Sequence, residues 1–177
     1  MADGTLKVGT ITTSSGSGNI SIGSGVTIDV NKPSFFASKT SGNQSVSHNT
    51  WTKVTFDSET FDADSVFGSD KFTAPSDGKY FFTVQVCVQH DSVLLKTLLN
   101  GYYKNGSSIQ DQREIETRTD SPLYEYTLNK SIILDLSTND YIEFYIKPQT
   151  TDSSATNIRS GSSTNLMTFF QGFKIGA

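Results

Sequence analysis

Two histidines, one cysteine and a scatter of carboxylates are the residues here whose chemistry could go beyond packing. His48 lies in a polar stretch and His90 at the end of an alternating run. A Ser–His–Asp arrangement needs one of them within bonding reach of a nucleophile, and the sequence has no Gly-x-Ser-x-Gly elbow. A carboxylate pair for glycan hydrolysis would have to be Glu114 with Glu116, or Asp140 with Glu143. Gly16-Ser17-Gly18 and Gly23-Ser24-Gly25 lack the spacing of a dinucleotide phosphate cradle. The reading is therefore a non-enzyme with no catalytic residue, and a small glycan-acting enzyme is the alternative. Asp57, Asp62, Asp64 and Asp70 fall in one region and are hard oxygen ligands of the kind calcium takes. Their spacing fits no calcium loop, and loop aspartates commonly serve turns. No cofactor is expected, with calcium on these four as the alternative. Cys87 sits mid-strand, has no partner for an intrachain disulfide and reads as a small buried residue.

The elements that must position these groups are strands. Residues 71–88 are the centre: a short run, a break at Pro75-Ser76-Asp77-Gly78, then Tyr80, Phe82, Val84, Val86 and Val88 on one parity. Pro75, Asp77 and Gly78 supply turn chemistry, with Asp77 able to bond its own backbone. The alternating stretch 50–56 reads as a strand. Residues 57–70 read as loop-rich, with Phe61 and Phe67 as inward anchors. Residues 93–99 read as a strand ended by Asn100-Gly101 and Asn105-Gly106, both hairpin signals. Residues 123–136 and 141–146 alternate around the turn 138–140, 149–164 is a polar loop, and 166–175 closes the chain. Eight to ten strands in this rhythm predict an all-β antiparallel sandwich or jelly roll.

Composition excludes several functions. Net charge is −4, with no basic stripe, so no nucleic-acid partner is expected. No apolar run approaches the ~18 residues of a membrane helix, so no membrane insertion is expected either. The start, 1–10, lacks the pattern of a secretory leader, so the sequons at Asn19, Asn43, Asn105 and Asn129 carry no weight.

Residues 1–31 differ from the rest. They hold six Gly and ten Ser or Thr, with no aromatic residue, yet Ile20, Ile22, Val26, Ile28 and Val30 recur at period two. Short runs of this kind cannot bury a core alone. They read as an assembly or anchoring arm, the alternative being a disordered tail. The division is an arm at 1–31 and a head at 32–177.

Both faces of the central strand carry apolar residues, because Phe81 opposes Tyr80 and Phe82. In the last strand Phe169, Phe173 and Ile175 oppose Thr168 and Phe170. A sandwich buries one face of each sheet, so the second face needs a cover. Phe81, Tyr145, Phe169 and Phe173 are the candidate interface residues.

Four stretches resemble the C1q and tumour-necrosis-factor-like head domain. They are Pro33-Ser34-Phe35-Phe36-Ala37-Ser38; Phe72-Thr73-Ala74-Pro75 with Gly78-Lys79-Tyr80-Phe81-Phe82; Leu134-Asp135-Leu136 with Asn139-Asp140-Tyr141-Ile142; and Thr168-Phe169-Phe170-Gln171-Gly172-Phe173-Lys174-Ile175. Asn139 stands where the family has a turn glycine. The resemblance implies a jelly roll, a homotrimer packed on its inner sheets, and a binding rather than catalytic role; some such domains bind calcium. The collagen-like stretch of animal members is missing, since the glycines of 1–31 have no period of three. The arm is similar in style to those of tailed-bacteriophage virion proteins. The expectation is a protein of the virion surface, a capsid decoration, head fibre or tail-fibre tip. Its arm would meet other virion proteins and its head a host-surface receptor or glycan. A secreted animal-type C1q-like binding protein is the alternative.

Overall fold

Twelve alternating residues make β7 (Gly78–Gln89) the strand to which most of the first sheet is attached. In the computed structural model, which describes residues 32–90, 95–116 and 123–176, thirteen strands are numbered β1 to β13 in chain order. One edge of β7 pairs along its whole length with β10 (Glu125–Leu136), from Gly78↔Leu136 to Gln89↔Glu125. The other edge is shared. Lys79 to Gln85 pair with β13 (Phe169–Gly176), while Val88 and Gln89 pair with β12 (Thr156–Ile158). Beyond β13 lie β1 (Ser34–Ser38) and then β4 (Ser58–Ala63); beyond β12 lies β2 (Gln44–Val46).

The second sheet runs β5 (Phe67–Gly68), β6 (Lys71–Thr73), β11 (Tyr141–Thr150), β8 (Leu95–Lys104), β9 (Ser107–Glu116), with β3 (Thr52–Lys53) also on β11. All ladders are antiparallel, as expected for a sandwich.

The core lies between the two sheets. Tyr80, Phe82, Val84, Val86 and Val88 are all buried and face Phe72, Tyr102, Ile142, Phe144 and Ile146 of the second sheet. Phe170 is the hub. Its ring lies 4.9 Å from Phe35, 5.9 Å from Phe56 and Phe82, 6.1 Å from Phe67 and 6.4 Å from Tyr102, centroid to centroid. Tyr102 carries a polar atom into this core and donates it to the Lys130 carbonyl at 2.9 Å, which removes the cost of burying a hydroxyl. Cys87 is buried, as expected, and burial raises its thiol pKa.

Several local expectations are corrected. Only Thr52–Lys53 of the 50–56 stretch forms a strand; past it, Phe56 donates its amide to Asp70 at 2.7 Å. Within the 57–70 stretch β4 pairs with β1 and turns Phe61 outward, so that Phe67 alone of the two is an inward anchor. Asn100-Gly101 does not end β8. The glycine is there for close approach: a Cβ on Gly101 would sit 2.5 Å from the Gln110 carbonyl oxygen. The turn falls at Asn105-Gly106, both at positive φ. The 149–164 stretch contains β12, whose Ile158 is buried.

Asp77 does not bond its own turn. It accepts from the Thr138 amide at 2.7 Å and hydroxyl at 2.9 Å, joining the turn before β7 to the turn before β11. In that second turn Asn139 adopts the left-handed conformation, φ 71°, which asparagine tolerates better than most residues.

Beside it, Asp140 accepts from Lys104 and Asn105 side chains at 2.7 Å each and from the Ser137 amide at 2.8 Å. The Lys104 bond, then those of Asn105 and Ser137, hold its carboxyl down at about 2 from the ordinary 3.8. A carboxyl depressed in the folded state stabilises above its unfolded pKa and loses that contribution as pH falls through the folded one. Asp140→Asn is therefore expected to lower stability at pH 7 and to flatten the acid limb between about pH 4 and pH 2. Urea midpoints at pH 7, 4 and 2.5 check this; an unchanged acid limb would refute it.

Candidate assembly face

The outward face of the β7 sheet is aromatic, and the pairing register builds it. Phe81 of β7 lies between Phe173 of β13 on one side and Ile133 of β10 on the other. The Phe81 and Phe173 rings are 5.5 Å apart. Toward the sheet edge Phe36 of β1 stacks on Phe169 at 5.5 Å and meets Phe61 of β4 at 6.3 Å. Ile133 is 60% exposed, Phe61 48%, Phe173 47% and Ile175 40%. Burying one large apolar side chain is worth ~1.5–3 kcal/mol. A contiguous patch of this kind marks an interaction surface on a soluble protein. The polar groups at one end, Lys79 and Asp135, are 3.7 Å apart and largely exposed, so they contribute little to stability.

Three of the four expected interface residues, Phe81, Phe169 and Phe173, are brought together here. Tyr145 is not with them. Odd positions of β11 point outward from the second sheet, where Tyr145 packs on Tyr103 at 4.2 Å, and Tyr103 meets the edge of Trp51 at 5.9 Å. Its hydroxyl donates to Glu143 at 3.5 Å, and Glu143 is paired with Lys53 at 3.2 Å. Phe36, Phe61 and Ile133 were not anticipated as members of the face.

The groups considered for chemistry are spent on structure. Asp57 accepts from the Thr40 amide at 2.7 Å and the Thr40 hydroxyl at 2.9 Å, Asp62 from the Val66 amide at 2.8 Å, and Asp70 from the Phe56 amide. Asp64 is a turn residue at φ 67°. Among the described residues no three His, Cys, Asp or Glu side chains gather as a metal site would need. Glu114 is paired with Lys130 and accepts from Asn100 at 3.0 Å; the Glu116 side chain lies outside the described residues. Asp140 and Glu143 are bound to separate lysines, Lys104 and Lys53.

His48 bonds Thr150, and His90 Nε2 lies 2.9 Å from Ser154 Oγ. That contact meets one leg of a triad. The carboxylate of the same turn, Asp152, is exposed and accepts from the Ser154 amide at 2.9 Å, whereas a triad needs a buried carboxylate orienting the imidazole.

No protein-family model matches the sequence, and no curated protein matches it. Solved structures do match in three dimensions. The globular domain of zebrafish complement 1qA superposes with a TM-score of 0.55 at 17% identity, covering 81% of this chain and 98% of that one. The Eiger TNF of S. frugiperda gives 0.53 at 12%, covering 83% and 94%. The fold is the C1q/TNF jelly roll. At these identities the likeness establishes the C1q/TNF architecture and leaves function to the residues of this chain. In that jelly roll the aromatic face is the outer surface of the sheet β4-β1-β13-β7-β10.

Proposed function

We propose that this protein is a non-enzymatic structural module of a virion. Three copies of the jelly-roll head pack their aromatic faces about a threefold axis, and residues 1–31 attach the trimer to other virion proteins. The observation that carries the assembly is the outward-facing set of Phe36, Phe61, Phe81, Phe169 and Phe173 with Ile133, of which Phe61, Phe173 and Ile133 are exposed and the others half-buried, on a sheet whose other face already covers the core. A cyclic trimer covers such a patch with copies of the same chain and leaves no open face to propagate fibres.

The virion setting rests on the arm. Its alternating Ile and Val between Ser-Gly breaks suit strand pairing with a partner chain, in which main-chain bonds supply affinity. On a tailed bacteriophage the trimer would serve as a capsid decoration, head fibre or fibre tip, with the far loops open to a host-surface receptor or glycan. Deletion of residues 1–31 is expected to leave a trimer that no longer co-sediments with particles, while the full chain does. Retention of the truncated protein on particles would sink the anchoring role.

A further inference from the structure

The chain has two histidines, and both hold the same five-residue turn, 150–154, that leads from β11 toward β12. The two contacts respond to protons in opposite ways. His48 Nδ1 accepts from the backbone N–H of Thr150 at 3.1 Å. An amide can only donate, so this bond fixes Nδ1 as the unprotonated nitrogen. The Thr150 hydroxyl, 3.2 Å from the same nitrogen, gives its proton to the Ser154 carbonyl at 2.7 Å. An imidazolium could turn to the lone pairs of that hydroxyl, but the buried Thr150 amide would then lose its acceptor. His90 Nε2 instead meets the Ser154 hydroxyl at 2.9 Å, a group that can donate or accept, so this contact survives protonation.

Asp152, in the turn itself, is held below the ordinary carboxylate range first by the Ser154 side chain and amide, with His90 a smaller contributor. Glu125 of β10 is paired with Arg159, beyond β12. His48 itself is held by Thr150. Between β2 and β3 the residues flanking His48 are uncharged. Asp91 lies outside the described residues.

We infer that the 150–154 turn is an acid-sensitive latch: protonation of His48 releases it at Thr150, while His90 keeps hold of it at Ser154. Histidine is the side chain whose charge ordinarily changes between about pH 5 and pH 8, which sets the two pH values of the test. The consequence is a pH-dependent shape for the surface between β11 and β12, with β7 and the aromatic face unaffected.

Amide hydrogen exchange on the full chain tests this, read as protection factors at pH 7.5 and 5.0. Protection of the Thr150 amide is expected to fall at least ~10-fold on acidification, with Val84 in β7 unchanged. His48→Asn places an oxygen acceptor at the same point without a titrating group and is expected to keep Thr150 protected at both pH values. Constant protection in the unmodified chain, or an equal fall in His48→Asn, would overturn the latch. Should the variant fail to fold, the ring-nitrogen shifts of His48 decide: they must titrate together with the Thr150 amide shift, and independent titration would overturn it as well.

Discussion

Phe81→Glu combined with Phe173→Glu is expected to turn the proposed trimer of the full chain into folded monomers. The two rings touch each other on the outward face and are directly opposed in the β7–β13 register. In an isolated head their replacement exposes charge to water, and surface changes of that kind usually shift stability by less than ~0.5 kcal/mol. In a trimer each carboxylate would sit unpaired in an apolar interface, at all three contacts at once. Central aromatic anchors are worth at least ~2 kcal/mol each on truncation, about 30-fold in dissociation constant, before the cost of the charge is added. Sedimentation of the double variant reads the assembly, and its thermal transition reads the fold. Phe173→Glu alone, at the more exposed of the two positions, is expected to weaken the trimer in the same direction and guards against an effect of Phe81 on packing. Variants that remain trimeric would remove these residues from the interface.

Phe170→Ala is expected to cost ~3–5 kcal/mol of stability, the usual range for removing a buried phenylalanine. Five rings surround it, from β1, β5, β7, β8 and the segment after β3, so no single neighbour can move in to fill the space. Domains of this size are stable by only ~5–15 kcal/mol, so the loss takes a large share. The adjacent Phe169→Ala serves as the contrast. Phe169 stacks on Phe36 on the outward face, and its removal should weaken assembly while costing the head much less. Urea midpoints of the two variants, measured at a concentration where the chain is monomeric, check this. Equal losses would mean that Phe169 is a core residue too.

The jelly roll was legible because its motifs combine pattern with turn chemistry. Phe72, Ala74, Tyr80 and Phe82 fall in the core as their parity requires, and Asn139 takes the left-handed turn. The aromatic face was legible in part, through paired rings. Phe35-Phe36, Phe81-Phe82 and Phe169-Phe170 each place one ring in the core and the next on the outward face, because a strand alternates its side chains. The doublet Ile132-Ile133 carries the same signal and would have identified Ile133.

What escaped the sequence was set by pairing partners distant in the chain. Tyr145 has the same outward character as Phe173, but its strand lies in the other sheet, which depends on β11 pairing with β8 and β3. Phe61 looked like an inward anchor until β4 paired with β1. Asn100-Gly101 carries a turn signal, yet the close approach of Gln110 accounts for its glycine. The convergence of both histidines on one turn has no local signature at all, since His48 and Thr150 are 102 residues apart.

The solution mass of the full chain at micromolar concentration is the most direct test that copies of this protein cover its second face. Three times the 19.3 kDa chain mass is the expected value. A single-chain mass would contradict the trimer and leave the face of Phe36, Phe61, Phe81, Phe169 and Phe173 to a different partner.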